Sequence, residues 1–199
     1  MSKMKKTDII HNIRVKAVVF VIAALSLVSC IQESFDYESS TTSETGKFAG
    51  TAMDFINSTR PLDSLSLIKE AITLTGLQSL YSQAGPRTFI LPRNPGFRAW
   101  LTTNKYASLS AVPVAILTDV LKYHIVKTYY YTQDPQFIKN DVPIMYQTEG
   151  TNPLYFSHNS NFQVVVNHGT KKSFVIFVSN IRPTNGVIHV SSDVVYYLP

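Results

Sequence analysis

Apolar positions recur at two different spacings along this chain, and the change of spacing divides it. Before about residue 122 they fall three and four apart. Thr51 to Ser58 is long enough for a short helix. A second helix follows Asp63, a residue suited to capping, with Leu65, Ile68 and Ile72 on one face. Leu67, Ala71 and Leu74 widen that face, and Gly76 can end it. Val112 to Lys122 predicts a third helix, with Pro113 in its first turn and Ile116, Leu117, Val120 and Leu121 as its apolar set. Thr88–Leu91 is a short β-branched and aromatic run between helices. From residue 142 onward the pattern becomes one of strands: Val142–Tyr146, Leu154–His158, Phe162–Asn167, Ser173–Asn180, Val187–Ser191 and Val194–Leu198. Helices grouped before strands predict an α+β fold rather than a parallel α/β sheet.

The N-terminal pattern differs from both. Met1 to Lys16 is basic, and Ala17 to Leu27 is apolar and uncharged. That run falls short of the roughly 18 residues of a membrane-spanning helix and suits a secretory leader. It ends in Leu27-Val28-Ser29-Cys30, and Cys30 is the only cysteine of the chain. Small residues before such a cysteine resemble the bacterial lipobox, in which cleavage precedes the cysteine and its sulfur and new amine are acylated. Stable anchoring takes more than one acyl chain, each buried CH₂ contributing about 0.8 kcal/mol. The expected organisation is a leader over 1–29, a Ser/Thr-rich acidic tether over 30–47 and one folded domain over 48–199. Glu33, Asp36 and Glu38 resemble surface-export signals, and Ile31 stands where an inner-membrane retention aspartate would be.

Charge then changes the picture. The 18 basic and 13 acidic residues give +5. The first 29 residues carry Lys3, Lys5, Lys6, Arg14 and Lys16 against Asp8, so the remainder stands at 13 − 12 = +1. The basic balance belongs to the leader, which excludes an electrostatic footprint for nucleic acid in the body of the chain. One cysteine excludes a disulfide framework and an all-thiolate zinc site.

Three segments carry a family resemblance. The first is Thr88-Phe89-Ile90-Leu91-Pro92-Arg93-Asn94-Pro95-Gly96-Phe97, a strand, a proline, a capping residue and a helix whose first turn ends on Phe97. The second is Leu121-Lys122-Tyr123-His124-Ile125-Val126. The third runs from Ser179-Asn180-Ile181 through Asn185-Gly186-Val187-Ile188-His189-Val190 to Leu198-Pro199. Together with Ala52–Ile56 and the Gly76-Leu77 step they resemble a fasciclin-like domain. The resemblance implies a β-sandwich wedge flanked by helices, with Pro92, Asn94, Phe97, Asn185, Gly186 and His189 as structural motif residues. It also implies that Tyr123 and His124 lie near a partner-contact region. Leu91, Arg93 and Pro95-Gly96 depart from the family pattern, although Asn94 can still cap and Pro95 suits a first helical position.

Read as residues alone, these segments are mainly structural. Asn185-Gly186 predicts a type I′ hairpin turn. His189 faces opposite Ile188 and Val190 and predicts a hydrogen-bonded framework imidazole. His124, just past a helix end, predicts a partly buried imidazole at the helix-to-strand corner, its charged form favoured by the helix C-terminus. Tyr129-Tyr130-Tyr131 on extended chain places Tyr129 and Tyr131 on one side and Tyr130 on the other; one side then packs on the core while the other covers a sheet edge, or an exposed ring contacts protein or sugar. Trp100, three positions after Phe97, predicts core.

The sequence holds no HExxH, GxSxG, P-loop or GxGxxG pattern. His158 and His168 predict exposed strand ends rather than a metal pair. The expectation is a non-catalytic, cofactor-free and metal-free binding or adhesion module. Lipidation at Cys30 would anchor it to the cell envelope as an outer-membrane lipoprotein facing outward, contacting an envelope protein or glycan. The alternative is a structural accessory subunit of an outer-membrane complex that imports glycan. A small polysaccharide hydrolase is the minor alternative and requires two converging carboxylates.

Overall fold

The computed structural model describes residues 46–58, 65–133, 142–161, 163–170 and 173–194. The leader, Cys30, the tether, Asp63 and the end of the strand expected at Val194–Leu198 lie outside the described residues. The helices are α1 (Ala52–Asn57), α2 (Ser66–Thr75), α3 (Gln78–Ser82), α4 (Asn94–Thr103) and α5 (Val114–Tyr123). The strands are β1 (Thr88–Pro92), β2 (Ile125–Val126), β3 (Ile144–Tyr146), β4 (Leu154–His158), β5 (Val164–Val166), β6 (Phe174–Ile181) and β7 (Val187–Ser191).

Local chemistry explains the helix ends. Thr51 caps α1 and forms a reciprocal capping box with Asp54. The bonds from Thr51 hold the Asp54 carboxyl below its usual range. Gly76 ends α2 in the left-handed conformation at φ 68°. Pro113 is the cap of α5 rather than a first-turn residue, because its C=O accepts the first helical bond from Leu117.

The strands form one seven-stranded sheet in the order β2-β1-β7-β6-β5-β4-β3. Only β1 and β7 run parallel, with Phe89 opposite Ile188 and Leu91 opposite Val190. A bridge between Val126 and Thr148 brings the two edges together, with Lys127 N–H bonded to Gln147 O at 2.9 Å and Glu149 N–H to Ile125 O at 2.8 Å. The sheet is therefore closed and barrel-like, with the helices packed against it. Closure satisfies edge strands that a flat sheet would leave open.

Strand alternation divides the core in two. Phe89, Leu91, Ile188 and Val190 point outward and pack under the helices with Ile68, Ile72, Phe97, Leu117 and Leu121. Ile90 points inward with Tyr130, Tyr146, Leu154, Phe156, Val164 and Val166. Trp100 is half-buried at the margin of the helical core rather than inside it.

Two expected roles are reassigned. Asn94 is the first residue of α4 and does not cap it; the cap position is Arg93. Its side chain instead caps α2, where Oδ1 accepts from Leu67 N–H at 2.9 Å and Nδ2 donates to Ser66 Oγ at 2.8 Å. Neither Asn185 nor Gly186 has a positive φ, so the turn is not type I′. The connection from β6 to β7 is longer than two residues, with Ile181 opposite Ile188. Asn185 serves as a buried tie: Oδ1 accepts from Ala52 N–H at 2.8 Å, and Nδ2 donates to Tyr81 O at 2.9 Å and Gln83 O at 3.1 Å. Gly186 is required by close approach, since a Cβ there would lie 2.5 Å from Arg87 O.

Candidate functional site

The segment leaving β2 is fixed at alternate residues by side chains from β1, β4, β6 and β7. Thr88 Oγ1 donates to Thr128 O at 2.7 Å and accepts from Tyr130 N–H at 2.8 Å. His189 Nε2 contacts Tyr130 O at 2.9 Å, and its Nδ1 accepts from Asn180 N–H at 3.3 Å. The proton therefore sits on Nε2, which donates. Asn180 returns two bonds to Thr132, accepting from its N–H at 3.0 Å and donating to its hydroxyl at 2.7 Å. His158 Nε2 lies 3.2 Å from Thr132 O.

This anchoring decides which tyrosines reach solvent. Tyr130 turns inward and stacks on Phe156 at 4.2 Å with the rings 12° apart. Tyr146 meets it edge-on at 5.6 Å. Burial raises the Tyr130 phenol pKa well above the ordinary value. Tyr129 and Tyr131 turn outward, as alternation predicts, and stack on each other at 6.3 Å and 27°. The Arg182 guanidinium lies 5.1 Å from the Tyr131 ring, within cation–π range. Arg182 is itself pinned by its backbone, donating to Gly46 O at 2.7 Å and accepting from Phe48 N–H at 2.9 Å. Tyr129 is 42% exposed, and Arg182 is exposed. The site is an outward stack of two flat rings and a cation on an immobilised backbone.

The other expected contact residues do not join it. Tyr123 and His124 are 2% and 1% exposed, and Tyr130 is 1% exposed, so none of the three presents a surface to a partner. Tyr123 donates to Pro153 O at 3.1 Å and accepts from Asn167 Nδ2 at 3.1 Å. His124 Nδ1 donates to Val120 O at 2.7 Å, as an imidazole bracing the corner would. Its expected positive charge is corrected: full burial removes water from the imidazolium and lowers the pKa to about 4, a larger effect than the opposing bond to Val120. His189 is lowered to about 4 for the same reason. His158, expected to be exposed, is buried, whereas His168 is exposed. Pro92 and Phe97 are interior framework residues.

Glu149 pairs with Arg87 at 3.0 Å and Lys127 at 3.9 Å, and Asp54 belongs to the α1 cap. Among the described residues there is no group of three or more His, Cys, Asp or Glu that could hold a metal ion. Among them, too, no helix is long and apolar enough to cross a membrane. Arg182 and Asn180 escape sequence reading because they lie about 50 residues from the tyrosines they support. Their only local signal is a polar pair, Asn180 and Arg182, flanking Ile181 where β6 ends.

A family model described as the Fasciclin domain matches residues 63–197. A solved FAS1 domain pair from the insect cell adhesion molecule Fasciclin I matches with a TM-score of 0.59 and 15% identity. The match covers 74% of this chain and 51% of that one, so this chain spans about half the length of that structure. No curated protein matches the sequence.

Proposed function

This chain belongs to the fasciclin domain family, and from that premise we propose that it is a non-catalytic binding and adhesion module displayed on a bacterial cell envelope. The observation that carries the reading is the outward stack of Tyr129, Tyr131 and Arg182 on a backbone fixed by Thr88, Asn180 and His189. Aromatic faces with hydroxyl edges and a nearby guanidinium form contacts with protein or glycan. Holding them rigid lowers the ordering cost of binding. The solved relative is a cell adhesion molecule, which accords with this use of the fold.

Display follows from the N-terminal sequence. Cys30 after a short apolar leader would carry the lipid, and residues 31–46 would give the domain reach beyond the outer membrane. The partner is an envelope protein or a glycan. Protease treatment of intact cells tests this arrangement. Cleavage of the domain on intact cells, with loss of membrane association in Cys30→Ala, is expected. Protection until the outer membrane is broken contradicts outward display.

A further inference from the structure

A recess that shares no residue with the tyrosine stack lies along one face of α4. Gly96, Trp100 and Thr103 line it at helical spacing, joined by Asn104, by Ser173 before β6 and by Asp193 after β7. We propose that this recess is a subsite for a single neutral pyranose ring of a glycan. The proposal deepens the binding-module reading and rests on it in taking a glycan as the partner.

The side chains are arranged before any ligand arrives. Trp100 is half-buried and braced by Tyr106 at 5.9 Å with the rings 33° apart, which fixes an indole face for the apolar C–H face of a sugar. Asp193 is exposed and fixed from both sides: its Oδ2 accepts from Ser192 Oγ at 2.9 Å, and its carbonyl accepts from Ser191 Oγ at 2.7 Å. The other carboxylate oxygen is left to accept ligand hydroxyls. Asn104 donates to Trp100 O at 2.7 Å and keeps its amide oxygen as a second acceptor. Thr103 and Ser173, both exposed, add hydroxyls that donate or accept. Gly96 brings the helix directly onto the 192–193 turn, because a Cβ there would lie 2.3 Å from Ser192 O and 2.6 Å from Asp193 Cα. That contact holds the indole-bearing helix against the carboxylate-bearing turn.

Charge and size select the ligand class. Among the described residues the lining includes one carboxylate and no cationic side chain, which favours a ligand without negative charge. The volume of about 210 Å³ lies below the roughly 300–1,000 Å³ of drug-sized clefts and admits one ring. A quaternary ammonium is favoured by a cage of aromatic faces, whereas here neutral hydrogen-bonding groups outnumber aromatic ones.

Trp100 is the chain's only tryptophan, so intrinsic fluorescence reports on the recess directly. The full-length protein, in a detergent without a sugar headgroup, is titrated with the methyl pyranosides of glucose, galactose and mannose and with choline chloride. A saturable millimolar response to at least one pyranoside is expected, weakened at least about tenfold in Asp193→Asn and in Thr103→Val. Circular dichroism verifies that each variant is folded. Tyr129→Ala/Tyr131→Ala should titrate like the wild type, which separates failure of this subsite from failure of the adhesion surface. Absence of a saturable response to every pyranoside, a response to choline chloride alone, or unchanged affinity in both folded variants overturns the proposal.

Discussion

Asn185 joins three parts of the molecule through one amide, receiving the N–H of Ala52 and donating to the carbonyls of Tyr81 and Gln83. It is 3% exposed, so truncation leaves buried polar groups without water. Asn185→Ala is expected to cost about 3 kcal/mol, read as a shift of the urea midpoint at constant m. A loss below about 0.5 kcal/mol would contradict its role as a tie. Asn94 is expected to behave more mildly: Asn94→Ala removes the side-chain cap of α2 and should cost about 1 kcal/mol by the same measurement. Residue types were legible here, but their partners were not. Asn-Gly in a strand-rich region resembles a hairpin turn, and nothing local shows that the amide reaches helices more than 100 positions earlier. Asn94 before a proline resembles its own helix's cap for a similar reason.

Elements were more legible than contacts, because periodicity is local and contacts are not. Leu154–His158 and Val187–Ser191 form strands with the expected bounds, since their aromatic and β-branched residues suit a sheet and act within five positions. α3 has only five residues, too few to show a period, and went unread. Two buried histidines belong to this scale, His124 at the corner between α5 and β2 and His189 within β7. Both are buried and held neutral, with pKa values lowered to about 4. On unfolding each returns to an ordinary value near 6.5. Between these limits the unfolded chain binds more protons than the folded one, so stability is full above pH 6.5 and falls as pH drops toward 4. The loss is on the order of 3 kcal/mol per histidine. Thermal midpoints should therefore fall between pH 7.5 and 4.5, and His124→Asn, whose amide can still reach the Val120 carbonyl, should flatten part of that slope. A midpoint independent of pH over this range would contradict the burial of both imidazoles.

At the scale of the whole molecule, the α+β grouping was legible while closure of the sheet was not. Closure depends on Val126 meeting Thr148, and on Tyr130 filling an interior lined by β3, β4 and β5. That same packing turns Tyr129 and Tyr131 outward, so the barrel-like core and the candidate contact surface share one cause. Alternation alone anticipated which tyrosines pair, and the Arg182 beside them came from a distant strand end. The central claim is that this outward stack makes the contact. The most direct measurement compares wild type with Tyr129→Ala/Tyr131→Ala, as full-length proteins, for retention of envelope proteins and for binding across a glycan array. Thermal midpoints are recorded in parallel. The expected result is a loss of binding of about tenfold or more, on the scale of two aromatic contacts, with the midpoint nearly unchanged. Equal binding by the two folded proteins would contradict the claim.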